Sequence, residues 1–332
     1  AMREAGRAHI TVKGGKFLEA VAAADTIVFD KTGTLTHACP KVAKVIPFGG
    51  KDECEMLRLA ACLEEHFPHS MANAVVEEAR RRGLTHEECH SKVEYLVAHG
   101  IASTVNGERV LIGSAHFVFE DEKCTISFTD QSIFDALPAE YSHLYLAVGK
   151  QLAAVICISD PLREEAAAVL STLRSMGVSK TVMLTGDSQR TAAAIAMQLG
   201  VDEFQAEVLP ADKAQFVSQL RREGHTVMMV GDGINDSPAL SEADAGIAIS
   251  DGAAIAREIA DITIAADSLW ELVELRRIAT ALMARIQSNY RFILGFNGAL
   301  ITLGMLGIIP PATSATLHNL STLGVSLRSM SA

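Results

Sequence analysis

Three apolar runs along this chain stop abruptly at an aspartate. "IVFDKTGTLT", Ile27 to Thr36, passes from three apolar residues straight into Asp30 and then into small polar residues. "KTVMLTGD", Lys180 to Asp187, ends in Thr185, Gly186 and Asp187, and "HTVMMVGDGIND", His225 to Asp236, ends in Asp232 and Asp236. Short apolar runs without polar alternation predict strands buried on both faces. Helix-like segments flank them: "KFLEAVAAAD" before the first, "SQRTAAAIAMQLG" after the second and "SPALSEADAG" after the third. Strand, polar tip and helix in repetition predict a parallel α/β sheet whose site lies at the carboxyl ends of its strands.

Between the first tip and the other two, residues 40–153 change pattern. Helical segments ("ECEMLRLAACLEEH", "MANAVVEEARRRG") precede strand-like runs ("STVNGERVLIGS", "LYLAVGKQLAAVICI"), as in an α+β domain spliced into the α/β domain. The division is then 1–39 as lead-in and first part of the α/β domain, 40–153 as the insertion, 154–275 as the second part, and 276–332 as a linker helix with two further helices. From Phe292 to Ile309, "FILGFNGALITLGMLGII", no charge appears, and about 18 such residues suffice to span a bilayer. Arg285 and Arg291 precede the run as positive-inside anchors would. After Pro310 and Pro311 the chain stays uncharged until Arg328, which predicts a helical hairpin crossing a membrane twice. The alternative is a buried helix pair in a water-soluble domain.

Composition narrows the partners. A length of 332 residues with 49% apolar content supports two domains with their own cores. The net charge of -11 leaves no basic excess for neutralising nucleic-acid phosphates, so no nucleic-acid partner is expected. The 6 cysteines show no Cys-x-x-Cys spacing and read as reduced thiols. The start, "AMREAGRAHI", has no apolar core of a signal peptide.

A lone aspartate at a strand tip is ordinarily a helix cap or a turn residue. Three such tips together with a lysine suggest phosphoryl chemistry instead. Asp30 would be fixed yet open to the cleft as a nucleophile beside Lys31, with Thr32, Gly33 and Thr34 wrapping a phosphate. Thr185 and Gly186, with Asp187, would form a second side, and Lys213 in "LPADKAQFV" would neutralise charge on Asp30 and phosphate. Asp232 and Asp236, joined by Asp30 and Thr32, make a hard-oxygen set suited to Mg2+, and Asn235 can donate to the phosphate.

"DKTGTLT", "DPLR" at Asp160 to Arg163, "TGD" and "GDGINDSPAL" together resemble the signature series of P-type ATPases, of the haloacid dehalogenase-like superfamily. The resemblance implies a phosphorylation domain in which Asp30 takes phosphate from ATP, and makes the insertion the nucleotide-binding domain. Soluble phosphatases of this architecture usually carry a second aspartate two places after the nucleophile, which acts as general acid and base. Here Thr32 stands in that place, so the acyl phosphate should persist.

"EEHFPHS", Glu64 to Ser70, is similar to the Ser-Glu-His-Pro element of the heavy-metal subgroup, which implies adenine contacts for Glu65 and His66. Phe67, between His66 and Pro68, departs from it. The subgroup's Gly-x-Gly keeps Gly100 but has Ala102 in second place, and Gly113 fits its later glycine.

For the transported cation, the polar groups of the apolar hairpin, Asn297, His318 and Asn319, are the candidates. The resemblance associates zinc and cadmium pumps with a lysine in the first of these helices and an aspartate in the second. Asn297 and the lack of that aspartate disfavour them and leave manganese, iron, copper or another transition metal open. It also implies partners for this chain in a missing amino-terminal half: an actuator domain and six earlier membrane helices. The expected location is multi-pass membrane, with catalytic domains in the cytoplasm. Two other functions remain: a soluble phosphatase using the insertion as a cap, and a non-transporting nucleotide-binding fragment.

Overall fold

The computed structural model describes residues 2–37, 39–65, 70–84, 94–96, 100–232, 236–249, 258–265 and 268–330. In chain order the strands are β1 (Ile10–Val12), β2 (Thr26–Asp30), β3 (Lys41–Pro47), β4 (Glu94–Leu96), β5 (Gly100–Val105), β6 (Glu108–Gly113), β7 (Ser142–Val148), β8 (Gln151–Ser159), β9 (Lys180–Leu184), β10 (Glu203–Gln205), β11 (Val227–Gly231), β12 (Ala245–Ile249) and β13 (Ile262–Ile264). They form two sheets.

The first sheet has the order β1-β13-β12-β11-β2-β9-β10 and is parallel except for β1 against β13. Three adjacent strands of it, β11, β2 and β9, are the three apolar runs of the sequence. All residues of β2 and β11 are buried, because helices cover both faces. One face packs Phe29, Met183, Val230 and Ile247 with the helices Gly15–Ala23, Ala166–Ser175 and Gln189–Leu199. The other packs Val28, Val182 and Met229 with Val217 and Leu220 of the helix Pro210–Arg222. The strand β12 was not expected: "SPALSEADAG" is helical over Ser237–Glu242, and Ala245 already belongs to the sheet.

The second sheet, β3-β8-β7-β6-β5-β4, is antiparallel throughout. Helices Glu53–Glu64 and Ser70–Arg81 cover one face through Leu57, Ala60 and Val75. The other face is an aromatic cluster of Phe48, Phe117, Phe134 and Tyr145. Strand β8 belongs to this sheet along its whole length, so the boundary drawn after Ala153 falls inside a strand. The chain leaves and re-enters the first domain through two paired segments: His37 N donates to Pro161 O (3.1 Å) and Arg163 N to Leu35 O (2.9 Å).

The carboxy-terminal helices are Trp270–Met305 and Pro311–Met330. The first half of the long helix buries Leu272, Leu275, Ile278 and Ala279 against the parallel-sheet domain, at helical spacing. Buried Arg276 fixes it there, its guanidinium donating to Val21 O and Met176 O. Beyond this the pair exposes Ile286, Phe292, Leu294, Ile301, Leu320 and Leu323. No helix among the described residues is long and apolar enough to cross a membrane. The uncharged run Phe292 to Ile309 is not held in one helix: the helix closes at Leu306, Gly307 takes a left-handed φ of 69°, and the next helix begins at Pro311.

Candidate active site

Strand register levels the three tips. Asp30 pairs with Leu184 and Phe29 with Val230, so Asp30, Thr185 and Asp232 emerge side by side at the carboxyl edge of the sheet. The chain then turns sharply over Lys31–Leu35. Gly33 has φ 77°, a left-handed conformation costly for residues with a Cβ. Thr36 closes the turn, its Oγ1 accepting from Gly33 N (3.0 Å) and donating to Lys31 O (3.3 Å).

Around Asp30 the structure gathers a buried charge cluster. Lys213, in the first turn of its helix, donates to Asp30 Oδ1 and to Asp236 Oδ1, both at 2.7 Å. Burial pushes Asp30 up to about 7, with the Lys213 ammonium opposing and the Asp236 and Asp232 carboxylates adding to the rise. Burial likewise raises Asp236, again opposed by Lys213. Among the described residues, Asp236 Oδ2 and Thr34 Oγ1 are buried with no hydrogen-bond partner. No group of three or more His, Cys, Asp or Glu side chains forms a metal-holding cluster among the described residues.

A second buried pair lies beside the first. Lys31 Nζ is 2.6 Å from Asp187 Oδ2, with side-chain exposures of 5% and 9%. Thr185 Oγ1 donates to the same oxygen at 2.8 Å, so this hydroxyl is held by its own loop. Burial alone would raise Asp187, but Lys31 and the hydroxyls of Ser142 and Thr185 outweigh it and hold the carboxyl below its ordinary range. Ser142, from the inserted sheet, was not foreseen, and neither was Gly231. A Cβ at Gly231 would stand 2.5 Å from Asp236 Oδ2, so only glycine lets the second aspartate of "GDGIND" fold back against the strand. Gly231→Ala is expected to cost about 2 kcal/mol by overpacking, read by denaturant unfolding.

Thr32 and Gly186 are exposed at the cleft, and a Cβ on Gly186 would meet only Val208 O, at 4.0 Å. Gly100 faces Gly113 across β5 and β6, and a Cβ on it would lie 2.4 Å from Ile112 O. Sheet packing therefore demands this glycine already, while the Ala102 methyl is absorbed by the aromatic cluster. Glu65 is exposed at the end of its helix. His66 and Asn235 lie outside the described residues. In the hairpin, His318 Nδ1 and Asn297 Oδ1 are 2.9 Å apart and line one groove of about 720 Å³; Asn319 is exposed and does not line it.

The raised Asp30 has a pH signature. Its native carboxyl keeps a proton that the unfolded chain has released between about pH 4 and 7, so stability falls as pH rises through that window. Asp30→Asn removes this loss. Its melting temperature, in divalent-free buffer, should gain on wild type by several degrees between about pH 5 and pH 8, at about 2–4 °C per kcal/mol.

A buried nucleophile-like aspartate at the switch of a parallel sheet, answered by a lysine and two further acidic tips, matches one family in particular. The chain belongs to the haloacid dehalogenase-like hydrolase family, whose model matches residues 24–244. Within it, the chain is homologous to heavy-metal P-type ATPases. It is 39% identical to a manganese-exporting P-type ATPase of Mycobacterium leprae (strain TN) over 98% of this chain and 45% of that protein. It is also 39% identical to a zinc-exporting P-type ATPase of Mycobacterium marinum (strain ATCC BAA-535 / M), over 98% and 44%. The crystal structure of a zinc-transporting PIB-type ATPase in the E2.Pi state superposes with a TM-score of 0.68 at 35% identity, over 99% of this chain and 53% of that one. The chain thus spans about half the length of the curated relatives it matches.

Proposed function

We propose that this chain is the catalytic portion of an ATP-driven transition-metal pump in which Asp30 accepts the γ-phosphoryl group of ATP. The observation that carries this reading is the placement of Asp30 at the end of β2, held by Lys213 at 2.7 Å between two further polar tips. An oxygen of Asp30 attacks the γ-phosphorus; the new O–P bond forms as the bond to the β–γ bridging oxygen breaks, and ADP leaves with that electron pair. Lys213 offsets the charge that then accumulates. The buried Thr34 hydroxyl and the open space at Gly186 suit phosphoryl oxygens.

Asp30, Asp232 and Asp236, with Thr32, would hold Mg2+ once the carboxylates draw together, since with Lys213 between Asp30 and Asp236 they do not yet close into a metal-holding cluster. The fit rests on Asp236, whose Oδ2 has no partner among the described residues while Oδ1 serves Lys213. A bound Mg2+ supplies charge neutralisation at the phosphoryl oxygens. Because Thr32 cannot act as general acid or base, the aspartyl phosphate persists long enough to drive a conformational change. The insertion would bind the nucleotide, with Gly100, Gly113, Glu65 and His66 as its assigned contacts.

The apolar side chains exposed on the helical pair suit packing against lipid and against the membrane helices of a missing amino-terminal half. The catalytic domains would then lie in the cytoplasm. Asn297 and His318 are placed to meet a transition-metal cation, His318 being the better ligand for a borderline metal. The manganese and zinc exporters match equally at 39%, so the choice of metal rests on such residues.

A comparison of substrates tests the reading. With Mg2+, ATP should give close to stoichiometric acid-stable label that decays slowly. Steady turnover of p-nitrophenyl phosphate, faster than that of ATP and without retained label, would instead support a soluble phosphatase.

A further inference from the structure

The phosphate-site loops are met from the side by the inserted sheet. Ser142 opens β7 and lies 45 residues before Asp187 in sequence, yet its Oγ donates to Asp187 Oδ1 at 2.5 Å. The same Oγ accepts from Lys31 Nζ at 3.4 Å, so one hydroxyl serves both members of the buried pair. The rest of the contact continues along the same segment. Thr191 Oγ1 donates to Tyr141 O (3.0 Å), and Arg190 Nη1 donates to Asp135 O (3.1 Å). Residues 135–142 of the insertion are therefore fastened to residues 187–191 of the parallel-sheet domain.

Asp187 has donors on both oxygens: Ser142 on Oδ1, Thr185 and Lys31 on Oδ2. A buried carboxylate held in this way has one orientation, and Lys31, adjacent in sequence to Asp30, is placed by it. Removing Ser142 Oγ leaves Oδ1 without that donor in a site nearly closed to water, where an unmet acceptor is costly.

We infer that Ser142 is a positioning residue: it orients the Lys31–Asp187 pair beside Asp30, so that the phosphorylation loop is in working order only when the insertion is seated against it. This rests on the reading of Asp30 as phosphate acceptor. Among the described residues Ser142 shows no hydrogen bond to Asp30 or Lys213, and it acts through Asp187 and Lys31. The direction of the Asp187 shift agrees, since the Ser142 hydroxyl is among the groups that lower it.

The test uses the full 332-residue chain with Ser142→Ala, Ser142→Thr, Asp187→Asn and the Ser142→Ala/Asp187→Asn pair. Single-turnover labelling by γ-labelled ATP with Mg2+ should slow about tenfold in Ser142→Ala, the loss of one charge-assisted hydrogen bond, with ATP affinity changed less than about twofold. Ser142→Thr should recover the rate, and Ser142→Ala should add little further loss to Asp187→Asn. In parallel, the side-chain 13C titration of Asp187 should move to higher pH in Ser142→Ala. A wild-type rate in Ser142→Ala, full additivity in the double variant, or no recovery by threonine would overturn the inference. Should wild type take up no label, the reading of Asp30 fails separately. The titration then decides the positioning alone, and an unmoved Asp187 overturns it.

Discussion

Lys213→Met should abolish measurable phosphoenzyme formation and weaken the fold, the largest single effect expected in this chain. The substitution keeps the apolar stem but deletes the ammonium that bonds both Asp30 and Asp236 at 2.7 Å. Two buried carboxylates then face each other unneutralised. Breaking a buried ion pair from one side costs about 3 kcal/mol or more. Loss of a preorganised charge at a phosphoryl-transfer site costs about a thousandfold in rate. Lys213 opposes the upward push of burial on Asp30, so its removal should drive Asp30 above about 7 and leave less carboxylate at neutral pH. Any residual labelling should therefore shift to more alkaline conditions, and the stability deficit should shrink as pH falls towards about 7, where wild-type Asp30 takes up its proton too. Thermal unfolding and rapid-quench labelling across pH measure the two halves of this expectation.

Asp187→Asn should produce the opposite pH signature. It keeps the side-chain shape, but its single amide oxygen can accept from only one of Ser142 and Thr185, and Lys31 is left buried without its counter-ion. A loss of about 3 kcal/mol is expected by the same reasoning, with labelling slowed about a hundredfold through misplacement of Lys31. Asp187 sits below its ordinary range, so its contribution is whole above that range and disappears only as pH falls through the folded value. Between about pH 6 and 8 the deficit of Asp187→Asn should stay flat, while the advantage of Asp30→Asn over wild type still grows towards pH 7. Denaturant unfolding at a few pH values separates the two aspartates on this ground alone.

The parts of this protein legible in its sequence are those encoded locally. β2, β9 and β11 could be read because each is an apolar run ending in Asp30, Thr185-Gly186-Asp187 or Asp232, and chain order fixed the parallel sheet. Strand β12 was hidden because "AGIAI" follows a short helix with no turn signal. Strands β1, β10 and β13 have three residues each, too few to show a period. Ser142 carried no local sign at all: its role comes from a contact between separate sheets. Gly231 looked like one more loop glycine, and only the approach of Asp236 explains it. The apolar run from Phe292 was legible as apolar, but where its helix stops depends on Gly307 and the prolines that follow.

Whether Asp30 carries the phosphate is decided by locating the label. The chain would be incubated with Mg2+ and γ-labelled ATP, quenched in acid, divided into hydroxylamine-treated and untreated portions, and digested for mass spectrometry, beside Asp30→Asn. An acid-stable, hydroxylamine-labile label is expected on the peptide containing Asp30 and not in Asp30→Asn. A label that resists hydroxylamine, persists in Asp30→Asn or maps to another residue would show that Asp30 is not the phosphate acceptor.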